Sequence, residues 1–419
     1  MQNTVPQEKL NQKDRRILLV TSYSHFMSHF NMLVFPALAL PLSTRLNMEL
    51  SEVLGLSFMM YLMFGLTALP WGVAADRWGA RQFLFLLHAG AMLSALAAAF
   101  FLSSPANLAL MLTFLGVFSG IYHPVGLGLI SKEVGRISMA LAINGIFGSM
   151  GIAVAPIITG FINAAGGSEA VFFTLAFLNL IGLVLLILFP FSKSPRREDD
   201  KTASNANRPQ LTLFVILLFA MMCGGIAYRG STLIMPAYFE LKNQALFQWI
   251  SSHSPWTVTE NIVATAITSL IFFAGIFGQY TGGRLAERYD LRYCYLFFHF
   301  ICMPTAFLIA RNTDFILVLL AAIYFFFLLG MQPIENTLVA KFIPGKFLHS
   351  AYGSKFILTF GVGALSVQMI EFINSYFGIE HVFNALGVTS LILVGIILLM
   401  IKKSQRPAAQ PVVSKGHSL

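Results

Sequence analysis

The sequence predicts an all-α integral membrane protein in which twelve transmembrane helices form two pseudo-symmetric six-helix bundles. Hydrophobic residues make up 57% of the 419-residue chain and charged residues only 11%, whereas soluble domains carry roughly 25% charged residues. Twelve apolar segments are each about long enough to cross a hydrocarbon core of ~30 Å. Some polar residues of the first half of the chain also recur in the second half at a constant offset. We therefore expect a duplicated, lipid-embedded helical protein.

The duplication is clearest in a charged decapeptide that separates two apolar segments. Its first copy is GVAADRWGAR at residues 72–81, and its second copy is GRLAERYDLR at residues 283–292. The two copies are 211 positions apart, and the same offset maps His88 onto His299. One unit of about half the chain therefore occurs twice, which predicts two bundles with the same succession of helices.

Taken in order, the chain divides into two bundles that are flanked and joined by polar segments. Residues 1–16 form a basic tail, residues 17–191 hold six apolar segments, and residues 192–210 are charged and proline-flanked. The composition of 192–210 cannot bury a core and predicts a flexible linker. Residues 211–401 hold six further apolar segments, and residues 402–419 form a second basic tail.

Each apolar segment is predicted to be one transmembrane helix. The first is longer than the core of a signal peptide and lacks a small-residue cleavage site, so we expect it to be retained. The predicted helices are 17–42, 52–75, 81–103, 106–131, 138–163 and 169–191 in the first bundle, and 211–239, 259–282, 291–311, 314–341, 348–374 and 380–401 in the second.

The loop charges predict the orientation in the membrane. Of the 27 Lys and Arg residues, 22 lie in the two tails and in alternate loops, and basic loops remain on the cytoplasmic side. Both termini and the linker are therefore expected in the cytoplasm, and the loop 240–257 outside. Within that loop, LFQWI at 246–250 predicts a short interfacial helix or an apolar loop that packs on the bundle.

The decapeptide resembles the signature that follows the second helix in the major facilitator superfamily of transporters. Ala80 departs from that signature, since a basic residue is usual there, and Asp290 replaces the later glycine in the second copy, which predicts a looser turn. The resemblance covers most of the chain and implies alternating access between two six-helix halves. It also implies a gating role for the matching residues, namely Gly72, Asp76, Arg77, Gly79, Arg81, Gly283, Glu287, Arg288 and Arg292.

Polar side chains inside the apolar segments are the candidate functional residues, because ionisable groups there are costly and usually face a cavity or a partner. They concentrate in segments 1, 4, 7 and 10, which line the central cavity in the family. We expect Glu335 and His123 to couple protons. The candidate substrate-binding residues are His25, His29, Tyr122, His123, Tyr228, Arg229, Gln332 and, in segment 11, Lys355.

Each candidate has an alternative interpretation. His25 and His29 lie one helical turn apart, so they could be packing residues or one edge of a metal site, although our expectation is that the protein has no metal site. His123 could support a kink beside Pro124. Arg229 and Glu335 could be members of structural ion pairs. The Lys355 side chain could extend towards the cytoplasm instead of lining a cavity.

The sequence predicts a transporter and excludes the enzyme classes that have recognisable motifs. The chain has no Walker loop, no H-E-x-x-H and no G-x-S-x-G in a strand–turn–helix context, so we expect no cofactor and transport driven by a gradient, most plausibly of protons. The basic residues lie in short loops and form no stripe for nucleic acid. The expected partners are a small-molecule substrate, protons and the lipid bilayer, and we expect a monomer in a bacterial inner membrane.

Two short motifs resemble those of proton-coupled drug exporters. Ser24–His25 and His123–Pro124 resemble the fosmidomycin-resistance type, and the fifth segment is rich in glycine before Pro156. This resemblance implies export of a small amphipathic or anionic, drug-like compound. Proton-driven uptake of an organic anion and a transport-dead receptor of the same fold are the alternatives.

Overall fold

A computed structural model describes residues 10–191, 210–343 and 354–405. Within these ranges the regular secondary structure is entirely helical and contains no β-strand, as the composition predicts. The predicted linker and most of both tails lie outside the described residues. We call residues 10–191 the N-terminal half and residues 210–405 the C-terminal half.

The N-terminal half consists of nine helices, several of which are parts of one bent membrane segment. Side-chain caps and prolines mark several of their starts: Asn11 accepts a hydrogen bond from the Asp14 backbone N–H, and Pro105 occupies the first turn of its helix, where its missing N–H has no cost. The helices are α1 (Gln12–Ala37), α2 (Ala39–Leu46), α3 (Leu50–Gly55), α4 (Phe58–Leu66), α5 (Ala68–Trp78), α6 (Ala80–Phe100), α7 (Pro105–Ser119), α8 (Tyr122–Glu133) and α9 (Ile137–Leu188).

The C-terminal half contains eight α-helices and one irregular helical stretch. A π-helical turn (Ile357–Gly361) and a 3₁₀ turn (Val362–Ala364) precede α16 within one continuous helical segment. The short helix predicted near residue 248 is present as α11. The helices are α10 (Leu211–Lys242), α11 (Gln244–His253), α12 (Glu260–Arg288), α13 (Leu291–Ile309), α14 (Asp314–Gly330), α15 (Gln332–Phe342), α16 (Leu365–Phe377) and α17 (Glu380–Ser404).

Among the described residues, nine helical segments are long and apolar enough to cross a membrane, and eleven if two bent pairs are each counted as one. The segment Leu50–Leu66, which contains α3 and α4, makes an angle of 44° with α5. The bend lies at Thr67, whose hydroxyl donates to the Met63 carbonyl at 2.7 Å, an interaction that bends helices. The long helix α9 contains a break at Gly167, where φ is +76°. Division of α9 there would give twelve segments, and the count of twelve remains a prediction.

Polar contacts near the helix ends identify the two ends of the bundle. At the end that we call the terminus end, Lys13 pairs with Glu133 at 2.6 Å and the Gln210 N–H donates to the Phe342 carbonyl at 3.0 Å. At the opposite end, which we call the far end, Asn261 donates to the Ala37 carbonyl at 3.0 Å and so connects the two halves.

The halves also meet along α9 and α12, and where α4 contacts the π-helical turn. The Ser269 hydroxyl accepts a hydrogen bond from the Ile157 backbone N–H at 2.9 Å. Gly65 and Gly361 pack backbone against backbone, and a Cβ atom on Gly65 would clash with Gly361. Small residues permit such close approach of helices in a membrane.

Candidate functional site

Three histidines from two helices form a cluster in the N-terminal half. His25 and His29 lie one turn apart on α1, and His123 lies in the first turn of α8. One ring nitrogen from each lies within 4.8 Å of the others, and the ring centroids are 5.0–5.3 Å apart. We call these residues the histidine cluster. The structure thus brings His123 to the pair that the sequence placed on one helix face.

Asn144 on α9 fixes the orientation of His25. The Nδ1 atom of His25 lies 2.9 Å from both the backbone oxygen and the side-chain oxygen of Asn144. Because both partners are acceptors, Nδ1 must carry the proton and the Nε2 atom of neutral His25 has a lone pair. Tyr122 donates to the same side-chain oxygen at 2.7 Å, and its ring stacks on His25 at 4.6 Å.

The ring nitrogens inside the cluster are only partly satisfied. Nε2 of His25 and Nε2 of His123 are buried and have no hydrogen-bond partner among the described residues. An unpaired buried polar atom typically costs ~1–3 kcal/mol. The cluster therefore presents nitrogen atoms that are available to a ligand.

Arg229 lies in the middle of α10 and is 3% exposed. Its guanidinium carbon is 4.0 Å from the Tyr61 ring centroid and 5.7 Å from that of Tyr228. Within the described ranges no carboxylate pairs with Arg229, and its Nε atom has no hydrogen-bond partner. Cation–π contacts stabilise this charge only in part. An anion would gain binding energy here, because a guanidinium matches carboxylate and phosphonate geometry.

Glu335 and Lys355 form a buried ion pair in the C-terminal half. Lys355 Nζ is 3.1 Å from Glu335 Oε2 and donates to Asn336 Oδ1 at 2.6 Å. Tyr295 donates to the other oxygen of Glu335 at 2.9 Å. Lys355 therefore does not extend to the cytoplasm, and its charge is neutralised. The sequence singled out both residues without indicating that they pair.

An aromatic wall lies between the histidine cluster and the ion pair. The ring of His123 is 5.1 Å from that of Phe356 and 5.3 Å from that of Phe360, measured between centroids. Phe64 contacts the same ring edge-on at 5.8 Å. Because Phe356 follows Lys355 directly in sequence, movement of the segment before α16 would affect both polar centres.

Gln332 lies apart from the cluster, in a hydrogen-bonded chain that joins the halves. Gln279 on α12 donates to Gln332 at 3.0 Å and accepts from Ser149 on α9 at 2.8 Å. Sequence reasoning assigned Gln332 to substrate binding and did not single out Gln279 or Ser149. In this conformation, Gln332 takes part in contact between the helices.

The first charged turn lies at the terminus end. Asp76 pairs with Lys132 on α8 at 2.5 Å, and both side chains are exposed. Gly79 has φ +102°, which favours glycine. Gly72 packs against Pro124, and Arg81 donates to the Leu186 carbonyl at 2.8 Å. The remaining match, Arg77, is exposed. We expect Asp76 to contact the start of segment 11 near residue 350, which lies outside the described residues.

The second charged turn is built differently. Asp290 caps α13 by accepting from the Arg292 backbone N–H at 2.9 Å, and it also pairs with the Arg292 side chain. The hydrogen bonds from Arg292 lower the pKa of Asp290 to about 2. Glu287 and Arg288 are exposed, and Gly283 lies near Pro333. A helix cap thus stabilises the turn that the sequence predicted to be looser.

Residues 21–258 match the family model of the Major Facilitator Superfamily. No curated protein matches the chain.

Solved structures of transporters share its fold. One is a POT family transporter in complex with 5-aminolevulinic acid, with 15% identity, TM-score 0.73, and coverage of 93% of this chain and 96% of that chain. Another is a bacterial homologue of the human lysosomal transporter Spinster, inward-facing and unoccupied, with 13% identity, TM-score 0.72, and coverage of 95% and 99%. A third is a D-xylose–proton symporter, with 13% identity, TM-score 0.70, and coverage of 92% and 97%.

The all-helical architecture, the apolar segments and the structural likeness agree on a multi-pass transporter fold. The match to the family model includes the first charged turn and the histidine cluster, and it extends over more than half of the chain. The chain belongs to the Major Facilitator Superfamily.

Proposed function

We propose that this protein is a proton-coupled exporter that works by alternating access and carries a small amphipathic or anionic compound. The family and its solved relatives are transporters, so the chain is a membrane transporter and not an enzyme. The substrate class, the direction and the coupled ion are our proposals. The similarity to a D-xylose–proton symporter supports the proposal only in that this fold is compatible with proton coupling.

The observation that carries the anionic substrate is the isolated charge of Arg229. Lys355 is neutralised by Glu335 at 3.1 Å, whereas Arg229 lies over the rings of Tyr61 and Tyr228, has an unpaired Nε and pairs with no carboxylate among the described residues. A buried cation without a carboxylate is costly, and a bound anion removes that cost. The rings of Tyr61, Tyr122 and Tyr228 supply an apolar surface for the rest of the substrate.

Glu335 is the proposed proton carrier, and His123 is the second candidate. A carboxylate keeps its charge beside a cation and binds a proton when it is buried without one. If Lys355 moves away from Glu335 during the transport cycle, Glu335 would therefore bind a proton. When the ion pair forms again, Glu335 would release it. The Glu335→Gln variant should retain substrate binding and lose its dependence on a proton gradient. Unchanged gradient-driven flux would assign the proton site elsewhere.

The test of substrate charge compares an anion with a neutral analogue. Phenylphosphonate should raise the melting temperature of purified protein more than its dimethyl ester does, and Arg229→Ala should remove that difference. Arg284→Ala is the matched control, because Arg284 also lies over a tyrosine ring, at 5.1 Å from Tyr280, but is exposed. Equal loss of anion and neutral ester, or binding of cations alone, would contradict the anion proposal.

Flux into proteoliposomes and surface labelling test the direction and the topology. We propose twelve helices in two bundles, at residues 17–191 and 211–401, in a monomer of the bacterial inner membrane with both termini cytoplasmic. A cysteine introduced as Ser204→Cys should be protected from a membrane-impermeant reagent added outside intact cells. Labelling from outside would reverse the orientation. A pH gradient, inside acidic, should drive accumulation of the anion in vesicles whose transporters face inside out if the protein is an exporter.

A further inference from the structure

The histidine cluster has more nitrogen atoms than anion binding or a single proton site requires. His25, His29 and His123 contribute three imidazoles to one point of the N-terminal half. The only hydrogen bonds of His25 that the structure shows are those of Nδ1 with Asn144. The buried Nε2 atoms of His25 and His123 lack hydrogen-bond partners within the described part of the chain.

We propose that the histidine cluster binds one divalent first-row transition-metal ion, with one imidazole nitrogen from each of the three residues. Imidazole is a preferred ligand of Zn²⁺, Co²⁺, Ni²⁺ and Cu²⁺, whereas Mg²⁺ and Ca²⁺ prefer oxygen ligands. Three histidines leave a fourth position open in a tetrahedral site. That position is available to water or to an anion.

The distances permit such a site after a modest contraction. Metal–nitrogen bonds of ~2.0–2.1 Å in a tetrahedral arrangement separate the nitrogens by roughly 3.3 Å. The candidate ligand atoms now lie within 4.8 Å of one another. His25 and His29 lie on the same face of α1, one turn apart, and His123 approaches from α8, so rotations of the His29 and His123 side chains would bring their nitrogens towards Nε2 of His25.

Asn144 supplies the outer contact that metal-binding histidines usually have. A ligating histidine generally donates its second N–H to a carbonyl or carboxylate, which fixes the tautomer and the direction of the lone pair. The Nδ1–H of His25 has two such acceptors at 2.9 Å. Gly148 lies against the His25 ring, and any Cβ there would clash with it. The protein therefore holds His25 in the form that can bind a metal through Nε2.

Arg229 sets the chemistry of the fourth ligand. Arg229 lies over the Tyr61 ring, about one turn of α4 from Phe64, whose ring contacts His123, so its charge disfavours a bare dication in the cluster. An anionic fourth ligand offsets the charge of both the metal and Arg229. Removal of the Arg229 charge should consequently strengthen the binding of a metal that carries only water. The inference concerns the same cavity as the proposed transport site, but it depends on neither transport nor proton coupling.

Titration with Co²⁺ tests the site directly. Tag-free protein in detergent, stripped with EDTA, should bind one Co²⁺ per chain and show the intense visible absorption of a four-coordinate ion. His25→Ala, His29→Ala and His123→Ala should each weaken binding at least tenfold. His299→Ala is the matched control, since His299 is also buried but lies in the other half. Arg229→Met should tighten binding several-fold.

Three outcomes would overturn the proposal. These are no Co²⁺ binding by wild-type protein, binding that survives all three alanine variants, or affinity indifferent to Arg229→Met. X-ray absorption of Zn²⁺-loaded wild-type protein needs no variant to fold, and it should show three imidazole ligands at ~2.0 Å; an oxygen-only shell contradicts the site. Because these measurements use neither substrate nor gradient, their failure leaves the transport proposal untouched.

Discussion

The two halves of the molecule place different chemistry at corresponding depths. The repeat maps His123 onto position 334, directly beside Glu335. In the N-terminal half this position belongs to a cluster of imidazoles, whereas in the C-terminal half it belongs to a buried ion pair with Lys355. Duplication therefore preserved the helical frame and left the polar centres free to diverge. Such asymmetry permits the imidazoles of one half and the ion pair of the other half to have different roles.

A second corresponding pair differs in its hydrogen bonds. His88 lies 2.9 Å from the Ser24 hydroxyl and 3.3 Å from the side-chain oxygen of Asn179. Its counterpart His299 is equally buried, yet neither ring nitrogen has a partner among the described residues. The repeat places Ser390 where Asn179 stands, and the shorter side chain also lacks a partner. Among the described residues, the hydrogen bonds of His88 thus have no counterpart around His299.

The largest expected effect comes from breaking the ion pair. Lys355→Ala leaves the Glu335 carboxylate buried and unpaired, and removal of one partner of a buried pair typically costs ~3–5 kcal/mol. The double variant Glu335→Gln/Lys355→Met should recover most of the lost stability, because it removes both charges. Thermal unfolding in detergent measures both. A double variant no more stable than Lys355→Ala would mean that the two charges do not depend on each other.

We expect an intermediate effect on stability from replacing His88, and little or no loss from replacing His299. His88→Leu removes the partner of the Ser24 hydroxyl and of the side-chain oxygen of Asn179, and we expect a loss of ~1–3 kcal/mol. His299→Leu replaces an unpaired polar ring by an apolar side chain, so its melting temperature should equal or exceed that of the wild type. Measuring the two variants side by side cancels the common change in side-chain shape. Equal destabilisation would imply that His299 has partners comparable to those of His88.

The smallest effect concerns the two charged turns. The hydrogen bonds from Arg292 hold the pKa of Asp290 at about 2, below the ordinary 3.8. The charged form is therefore stabilising above pH ~4, and this contribution disappears as the pH falls towards 2. Because the pair is largely exposed, Asp290→Asn should cost under ~1 kcal/mol at neutral pH.

The difference in melting temperature between wild type and Asp290→Asn, followed from pH 7 to pH 2.5, should shrink on the acidic side. Gly79→Ala provides the contrast, because its strain at φ +102° does not titrate. A wild-type advantage over Asp290→Asn that stays constant down to pH 2.5 would contradict the role of the carboxylate.

The membrane fold and most of the charged residues of the candidate site could be predicted from the sequence, because a charged residue in an apolar segment is easily recognised. The sequence could not pair Lys355 with Glu335, since their separation depends on how two helices pack. Asn144 and Tyr61 were missed because neutral polar residues are common in membrane helices and have a lower cost. The cap at Asp290 was readable in principle, as Asp is a favoured N-cap residue. The π-helical turn has no recognisable local signal.

That turn has a mechanical consequence for the ion pair. A π-helical turn contains an extra residue relative to an α-helical turn, and one residue of an α-helix corresponds to a rotation of ~100° and a rise of 1.5 Å. If residues 357–361 relaxed into an α-helix, the chain before them would swivel by about that angle about the helix axis while Gly361 stayed packed on Gly65. This rotation would separate Lys355 from Glu335 and, at the same time, Phe356 from His123.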